Sequence, residues 1–397
     1  MVKTVCMILL ASMALSITGC WNGRELNNIA LVVGMGIDKS TDSHKYRLTF
    51  QIIIPGNVAQ GSKGTGSGLE IVVYSEEDAT LFGALRKTSQ KVPRQLFFAH
   101  IQQLVIGEPL AQEGIGDLFD FFERSHELRM NSPVLIARGT SAESILRVIL
   151  PLEKNPSSGL AKRLELTNKV WAQNVDVNVK DILKELLGQG EAAISGVQIV
   201  GDPNKGETKA NLEHSKLPAY FKIEGVALFK NKKLIKWLDG EESRGTLWLQ
   251  DKMKGAVLDI PCKNKKEGTS IELIRSNTKI RVDMEDGHPI IRIGIDEEGI
   301  VNEVHCPIDL SKRKEIIELQ KQWAKLTEKE IMLAVKAAQQ KKSDIFGFGE
   351  EVERTHPKLW KDVKEQWPEI FAESKMEVQV KAFLRRTGMR SKPYFMQ

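Results

Sequence analysis

The chain has little cysteine and, beyond its first residues, no long apolar run. Its four cysteines form no CxxC pair and lie near no histidine cluster, so a zinc site is not expected. After residue 19 there is no run of about 18 apolar residues, the length that a membrane-spanning helix requires. We therefore do not expect a protein that crosses a membrane repeatedly.

Motifs typical of nucleotide sites and hydrolases are also missing. Gly34 and Gly36 follow an apolar run, but Lys39 stands where a dinucleotide fingerprint needs its third glycine. Neither HExxH nor Gly-x-Ser-x-Gly occurs. Adjacent carboxylates such as Glu241-Glu242 point to different faces of one element, which does not suit a glycosidase pair. We expect no catalytic residue, no cofactor and no metal.

Charge of neither sign dominates the composition. The 57 lysine and arginine residues are offset by 52 aspartate and glutamate residues, which leaves a net charge of +5. Such mild basicity suits an anionic membrane surface and gives no argument for nucleic acid. Apolar residues make up 41% of the chain, enough for a substantial core. Because 397 residues are too many for one ordinary core, we expect two or three domains.

The first twenty residues resemble a bacterial lipoprotein signal. Lys3 precedes an apolar stretch, residues 5–17, that is too short to cross a bilayer as a helix. Residues 17–20, Ile-Thr-Gly-Cys, resemble a lipobox, in which two small residues precede the cysteine that receives a diacylglycerol. This pattern predicts removal of residues 1–19 and a lipid anchor on Cys20. An ordinary signal peptide with a chance cysteine, or an uncleaved anchor, is the alternative.

Two other cysteines, Cys262 and Cys306, remain once the signal is removed and Cys20 is lipidated. In an exported chain they could form a disulfide that closes a long loop. They could equally be two half-buried free thiols. Both interpretations stay open on the residues alone.

Strand and helix signals alternate along the chain without a repeat of fixed period. Residues 97–106 are predicted to form one strand that contains His100, and the stretch 151–216 shows one clear helix, Val179–Leu187. A hairpin is predicted with its turn at Asn231-Lys232, and a long amphipathic helix over about 310–340. The order favours an α+β fold with sheets covered by helices.

The stretch 343–388 is the most distinctive part of the sequence. Residues 344–349 read Asp-Ile-Phe-Gly-Phe-Gly, a turn with two glycines separated by aromatics. A helical segment follows with Trp360, Trp367 and Phe371 at roughly three- to four-residue spacing. We interpret these aromatics as core residues packed on a sheet. A groove for a partner protein is the alternative.

An ordered series of motifs resembles the Ger(x)C spore germination lipoproteins. The series starts at residues 20–27, Cys-Trp-Asn-Gly-Arg-Glu-Leu-Asn, which run into the apolar strand at 29–38. Further matches, in chain order, are residues 93–98 with His100, 119–129, Trp237-Leu238, 241–245, Trp248, 344–349, 357–360, Trp367 and 385–388. The resemblance covers nearly the whole chain from Cys20 onward.

The resemblance implies the C subunit of a nutrient germinant receptor, with no enzyme activity. Its partners would be an A subunit, a B subunit similar to amino-acid transporters, and the bilayer through Cys20. It would lie on the outer face of the spore inner membrane. The family fold implies three α/β domains, each a mixed or antiparallel sheet covered by helices.

The predicted domain boundaries follow from that family fold. After the signal peptide 1–19, the N-terminal domain would cover 20–150, the middle domain 151–262 and the C-terminal domain 263–397. The residues alone fit two blocks, 20–205 and 217–392, equally well.

Two other classes of lipoprotein are alternatives to this one. A transporter's solute-binding lipoprotein should have two doubly wound parallel lobes joined by hinge strands. The antiparallel pattern at 271–295 speaks against it. A lipid-anchored cell-wall hydrolase would need paired carboxylates or a zinc triad, and the sequence carries neither.

Overall fold

The computed structural model describes most of the chain after residue 25. The described residues are 26–41, 45–59, 69–188, 190–262, 268–285, 288–388 and 390–393, with isolated positions 3, 4 and 7. Cys20 and the lipobox lie outside them.

A mixed sheet with a parallel centre occupies the first part of the described chain. Its strand order is β3-β2-β1-β5-β6-β7-β8-β9, and β4 pairs with the start of β1. The central neighbours β1, β5, β6 and β7 run parallel, whereas both flanks are antiparallel. The strands are β1 Ile29–Lys39, β2 Tyr46–Ile53, β3 Ile71–Asp78, β4 Gln95–Phe97, β5 Gln103–Gly107, β6 Val134–Ala137, β7 Ala193–Gly201, β8 Ala219–Lys230 and β9 Lys233–Leu238.

Helices bury this sheet on both faces. Along β5, Leu104 and Ile106 enter one hydrophobic core while Val105 enters another, as side chains that alternate between faces must. The helices of this part are α1 Pro55–Ala59, α2 Leu81–Lys87, α3 Glu108–Glu113, α4 Gly116–Arg124, α5 Ala142–Arg147, α6 Pro156–Val170, α7 Val179–Leu187, α8 Pro203–Gly206, α9 Ala210–Glu213 and α10 Gly240–Leu249. Short 3₁₀ turns lie at Leu26–Asn28 and Thr88–Gln90.

Gly34, the first glycine of the apparent nucleotide motif, allows two helices to pack closely on β1. A Cβ atom on Gly34 would lie 2.1 Å from the hydroxyl oxygen of Ser157 and 2.9 Å from a methyl carbon of Leu146. Only glycine at this point of β1 therefore lets α5 and α6 rest directly on the strand.

A second sheet is formed by the C-terminal part of the chain. Its order is β10-β11-β12-β13, with antiparallel pairs except for the parallel pair β12 and β13. Helix α11 packs on it and, with three shorter helices, makes the crossover that a parallel pair requires. The elements are β10 Ala256–Pro261, β11 Gly268–Glu285, β12 His288–Val304, α11 Arg313–Gln340, α12 Phe348–Thr355, α13 Pro357–Val363, a 3₁₀ turn Lys364–Gln366, α14 Trp367–Glu373 and β13 Lys375–Arg386.

The predicted α+β class is confirmed. The hairpin of β8 and β9 and the long helix α11 also lie where the sequence predicts them. The domain boundaries at 150 and 262 stay a prediction. In the structure, the first sheet has strands on both sides of residue 150, and the second sheet takes its strands from Ala256 onward.

Two element predictions were wrong. Residues 97–106 form two strands, β4 and β5, and exposed His100 lies in the turn between them, with its ring 5.7 Å from that of Phe97. The stretch 151–216 contains a helix that the pattern missed, the 15-residue α6.

Candidate functional site

The residues predicted from sequence to carry function are few, and the structure describes two of them. Cys20 lies outside the described residues, and the first continuous described stretch begins at Leu26, just before β1. Among the described residues, no three histidine, cysteine, aspartate or glutamate side chains are grouped so that they could hold a metal ion. In the same part of the chain, no helix has the length and apolar character needed to span a membrane.

The structure joins Cys262 to Cys306. Their Cα atoms lie 5.3 Å apart, 44 residues separate them, and each is 8% exposed. Cys262 directly follows β10 and Cys306 lies just after β12, so the bond clips two strands that both pair with β11. That the protein carries this bond stays a prediction, which an oxidising compartment would favour.

Removal of the disulfide is expected to weaken the C-terminal sheet. Cys262→Ala with Cys306→Ala should lower the free energy of unfolding by about 2–4 kcal/mol, because the unfolded chain regains loop entropy. Urea unfolding with and without dithiothreitol measures the effect. The double variant is its own control, since reductant should lower the midpoint of the wild type alone. A wild-type midpoint that does not respond to reductant would mean two free thiols.

A buried ion pair links the two sheets' helices. Arg244 on α10 donates two hydrogen bonds to the Glu330 carboxylate on α11, one of them 2.8 Å from Nε to Oε2. The indole nitrogen of Trp248 donates to the same oxygen at 3.4 Å. The Glu330 side chain is fully buried and that of Arg244 is 12% exposed.

The residues around Arg244 let the two helices approach closely. A Cβ atom on Gly245 would lie 2.2 Å from the backbone oxygen of Glu330, so any larger residue would push the helices apart. The hydroxyl of Ser243 donates to the carbonyl of Gln173 at 2.6 Å, which ties α10 to the loop after α6. Residues 241–245 are one of the motifs that resemble the family. They therefore lie where α10, in the first part of the chain, contacts α11, which packs on the second sheet.

A second buried carboxylate lies in the same region. Glu297 on β12 is 1% exposed, and both of its oxygens accept from the Thr327 hydroxyl at 3.1 Å. Burial raises the pKa of Glu297 well above its ordinary value. The hydrogen bond from Thr327 opposes this rise, and the charge of Glu330 adds to it.

Glu297→Gln is expected to flatten the dependence of stability on pH. Because the folded-state pKa of Glu297 lies above its unfolded value, its contribution is present below the unfolded pKa and is lost as pH rises through the folded pKa. The amide cannot ionise, so the variant should exceed the wild type in unfolding free energy at pH 8 and approach it near pH 5. Urea unfolding across this range is the measurement.

Glu298→Gln provides the matched control for that series. Arg385 lowers the pKa of Glu298 through a hydrogen bond, whereas the pKa of Glu297 is raised. This variant should therefore bring no gain at pH 8. If the unfolding free energies of the wild type and Glu297→Gln depended equally on pH, the raised pKa of Glu297 would be contradicted.

The Asp-Ile-Phe-Gly-Phe-Gly turn is organised by one carboxylate. Asp344 is 5% exposed and accepts from the Trp367 indole N–H at 2.9 Å and the Gly349 backbone N–H at 2.7 Å. Its other oxygen accepts from the backbone N–H groups of residues 346, 347 and 348 at 3.1–3.2 Å. Burial raises the pKa of Asp344, although the hydrogen bonds from Gly349, Trp367, Phe348 and Phe346 favour the charged form.

The aromatics around this turn belong to the core. Trp360 and Trp367 are each 3% exposed and stack edge to face, with ring centres 5.5 Å apart. Phe371 is fully buried against Phe346 and Phe348. The core interpretation is confirmed for the two tryptophans and Phe371, and the turn fixes the start of α12 on that core.

Polar residues that the sequence analysis missed meet at the carboxyl ends of β5 and β6. Glu108 accepts from the Trp237 indole N–H at 2.6 Å and from the Gly139 backbone N–H at 2.7 Å. Arg138 lies over the Trp237 ring and donates twice to Asp239, at 2.6 and 2.8 Å. The sequence signal that could have predicted this cluster is a charged residue directly after each of two parallel strands, because the carboxyl ends of parallel strands lie at the same edge of a sheet. These contacts fasten β9 to the parallel strands.

Comparisons with known proteins agree with this architecture. Residues 22–199 match the family described as spore germination protein N-terminal domain, and 224–388 match spore germination B3/GerAC like, C-terminal. Spore germination protein KC of Bacillus subtilis (strain 168) is 34% identical over 98% of this chain and 97% of its own length. The chain belongs to the GerAC-like family of spore germination proteins. The resemblance inferred from the sequence is thereby confirmed.

Two further proteins extend the comparison. Spore germination protein B3 of the same organism is 26% identical, over 91% of this chain and 92% of its own length. The crystal structure of the GerBC protein superposes with a TM-score of 0.55 at 22% identity, covering 89% of this chain and 97% of that one. At this identity the match speaks for the fold alone.

Proposed function

We propose that the chain is a non-catalytic subunit of a nutrient germinant receptor, required for spores to germinate in response to nutrients. The observation that carries this proposal is 34% identity to a spore germination protein over 98% of the chain. Its partners would be the receptor's A and B subunits. It would lie on the outer face of the spore inner membrane, held there by lipid.

Deletion of the gene tests the receptor role. Spores without the chain should lose dipicolinate release to one set of nutrients and keep their response to a non-nutrient trigger. Restoring the wild-type gene should restore the response. A normal response to every nutrient, persisting after related genes are also deleted, would count against the proposal.

The anchor can be tested by the mass of one peptide. Trypsin cleaves after Arg24, so the mature chain should yield an amino-terminal peptide of residues 20–24. A diacylglyceryl group on Cys20 is the expected finding, because two acyl chains are needed for stable membrane attachment. A peptide with an unmodified cysteine, or one that still includes residue 19, would refute lipidation.

The solute-binding alternative receives less support. Two doubly wound lobes would need a parallel second sheet, whereas β10, β11 and β12 run antiparallel to one another. The receptor-subunit proposal needs no such lobes.

A further inference from the structure

A cavity of about 740 Å³ lies between strand β10 and helix α11. We name it the β10–α11 groove. Apolar side chains from three segments line it: Ile260 and Pro261 of β10, Pro307 and Ile308 after β12, and Leu319 and Leu326 on α11. The two cysteines that the structure joins, Cys262 and Cys306, line the same groove. Whatever fills the groove therefore also covers the disulfide.

Thr269 on β11 brings a buried hydroxyl to the β10–α11 groove. The residue lines the groove and is fully buried. It shares the inward face of β11 with Ile271 and Leu273, because alternate residues of a strand point to the same face. The hydroxyl oxygen of Thr269 makes no hydrogen bond to any described residue. A buried hydroxyl without a partner costs free energy, so an occupant with a hydrogen-bonding backbone would be favoured there.

The last part of the described chain returns to the edge of this groove. The backbone carbonyl of Ser391 accepts a hydrogen bond from the Leu310 N–H at 2.8 Å. The Lys392 ammonium lies 3.5 Å from the Asp309 carboxylate. Residues 309 and 310 directly follow Ile308, which lines the groove. These two contacts place the chain after β13 one or two residues from the groove lining.

Three large apolar residues follow at this point of the sequence. The last described residue, Pro393, is buried, and residues 394–396 read Tyr-Phe-Met. Extended backbone covers at most about 3.6 Å per residue, so these three span up to about 11 Å beyond residue 393. Aromatic side chains gain much from leaving water, and the adjacent groove is apolar. The other segment beside the groove that lies outside the described residues, 263–267, reads Lys-Asn-Lys-Lys-Glu and has no apolar side chain to place there.

We infer that residues 394–396 dock in the β10–α11 groove and cover the disulfide between Cys262 and Cys306. The segment supplies apolar side chains to an apolar lining, and its backbone carbonyls supply an acceptor for the Thr269 hydroxyl. The inference needs neither the lipid anchor nor the receptor role.

Photo-cross-linking from position 395 tests where the segment lies. In the full chain, Phe395 is replaced by p-benzoylphenylalanine, the protein is irradiated, and mass spectrometry of its peptides locates the new bond. We expect bonds to residues 306–308 and to the groove side of α11, within residues 314–329. The same probe in place of Phe383, an apolar residue 51% exposed on β13, is the matched control and should form no bond to those residues. Bonds from position 395 only to other parts of the chain, or only between two chains, would overturn the inference.

The rate at which the disulfide is reduced gives an independent readout. Phe395→Ser with Met396→Ser removes the apolar cover, so dithiothreitol should free the two thiols about tenfold faster in the folded protein. Labelling with iodoacetamide, followed by mass spectrometry, measures that rate. If the cysteines are free thiols, the same labelling without reductant compares their exposure.

Phe383→Ser is the control for this rate and should match the wild type. Circular dichroism checks that both variants keep the fold. Equal rates for the wild type and the double-serine variant would overturn the inference, because residues 394–396 would then cover neither cysteine.

Discussion

Arg244→Met is expected to lower the free energy of unfolding by about 3–5 kcal/mol. The variant leaves the Glu330 carboxylate fully buried without its partner, and an uncompensated buried charge is costly. The Trp248 indole, 3.4 Å away, is a weak substitute for two charged hydrogen bonds. Urea unfolding followed by circular dichroism is the measurement.

The same two helices provide the control for this prediction. Lys329 on α11 pairs with Glu241 on α10, and their side chains are 59% and 43% exposed. Lys329→Met should cost less than about 1 kcal/mol, because water screens and replaces an exposed pair. Equal losses of unfolding free energy for the Arg244 and Lys329 variants would mean that burial of the Arg244–Glu330 ion pair contributes nothing to stability.

Asp344→Ala is expected to cost more than about 3 kcal/mol, since five N–H donors lose one common acceptor inside the core. Asp344→Asn should be nearly as harmful. All five hydrogen-bond partners of the carboxylate are donors, so the amide NH₂ of asparagine must face another N–H. Thermal and urea unfolding of both variants measure the loss.

Glu369→Gln is the matched control for the Asp344 series. Glu369 lies on α14, close in sequence to Trp367, but its carboxylate is exposed and pairs with Lys342 at the surface. Its unfolding midpoint should match that of the wild type. A wild-type midpoint for Asp344→Asn would show that the turn needs no acceptor at this position.

The sequence predicts elements best where one face is apolar throughout. Helix α11 has Leu319, Trp323 and Ile331 on its inward stripe, and the predicted range of about 310–340 differs from the observed helix by about three residues at its start. Helix α6 was missed because Leu166 and Val170 lie on its exposed side and blur the helical period. These two apolar side chains are exposed and take no part in the core, so they do not follow the pattern that marks a buried helix face.

A sequence can propose site residues only where the signal is local. The lipobox is contiguous, whereas a disulfide between Cys262 and Cys306 depends on Cα positions that pairing of three strands fixes. Glu330 falls among the buried positions of α11, which the helical period alone does not mark as an ion-pair site. Its partner Arg244 lies 86 residues earlier, and no pattern along the chain pairs them.

The most direct test of a lipid-anchored receptor subunit is nutrient-triggered dipicolinate release from spores whose copy of the chain carries Cys20→Ala. Spores with the wild-type gene restored at the same site serve as the reference. We expect the variant spores to lose most of their response to the nutrient while a non-nutrient trigger still acts fully. A response to nutrient at the wild-type rate would contradict the account, because the anchor would then be dispensable for the function assigned to the chain.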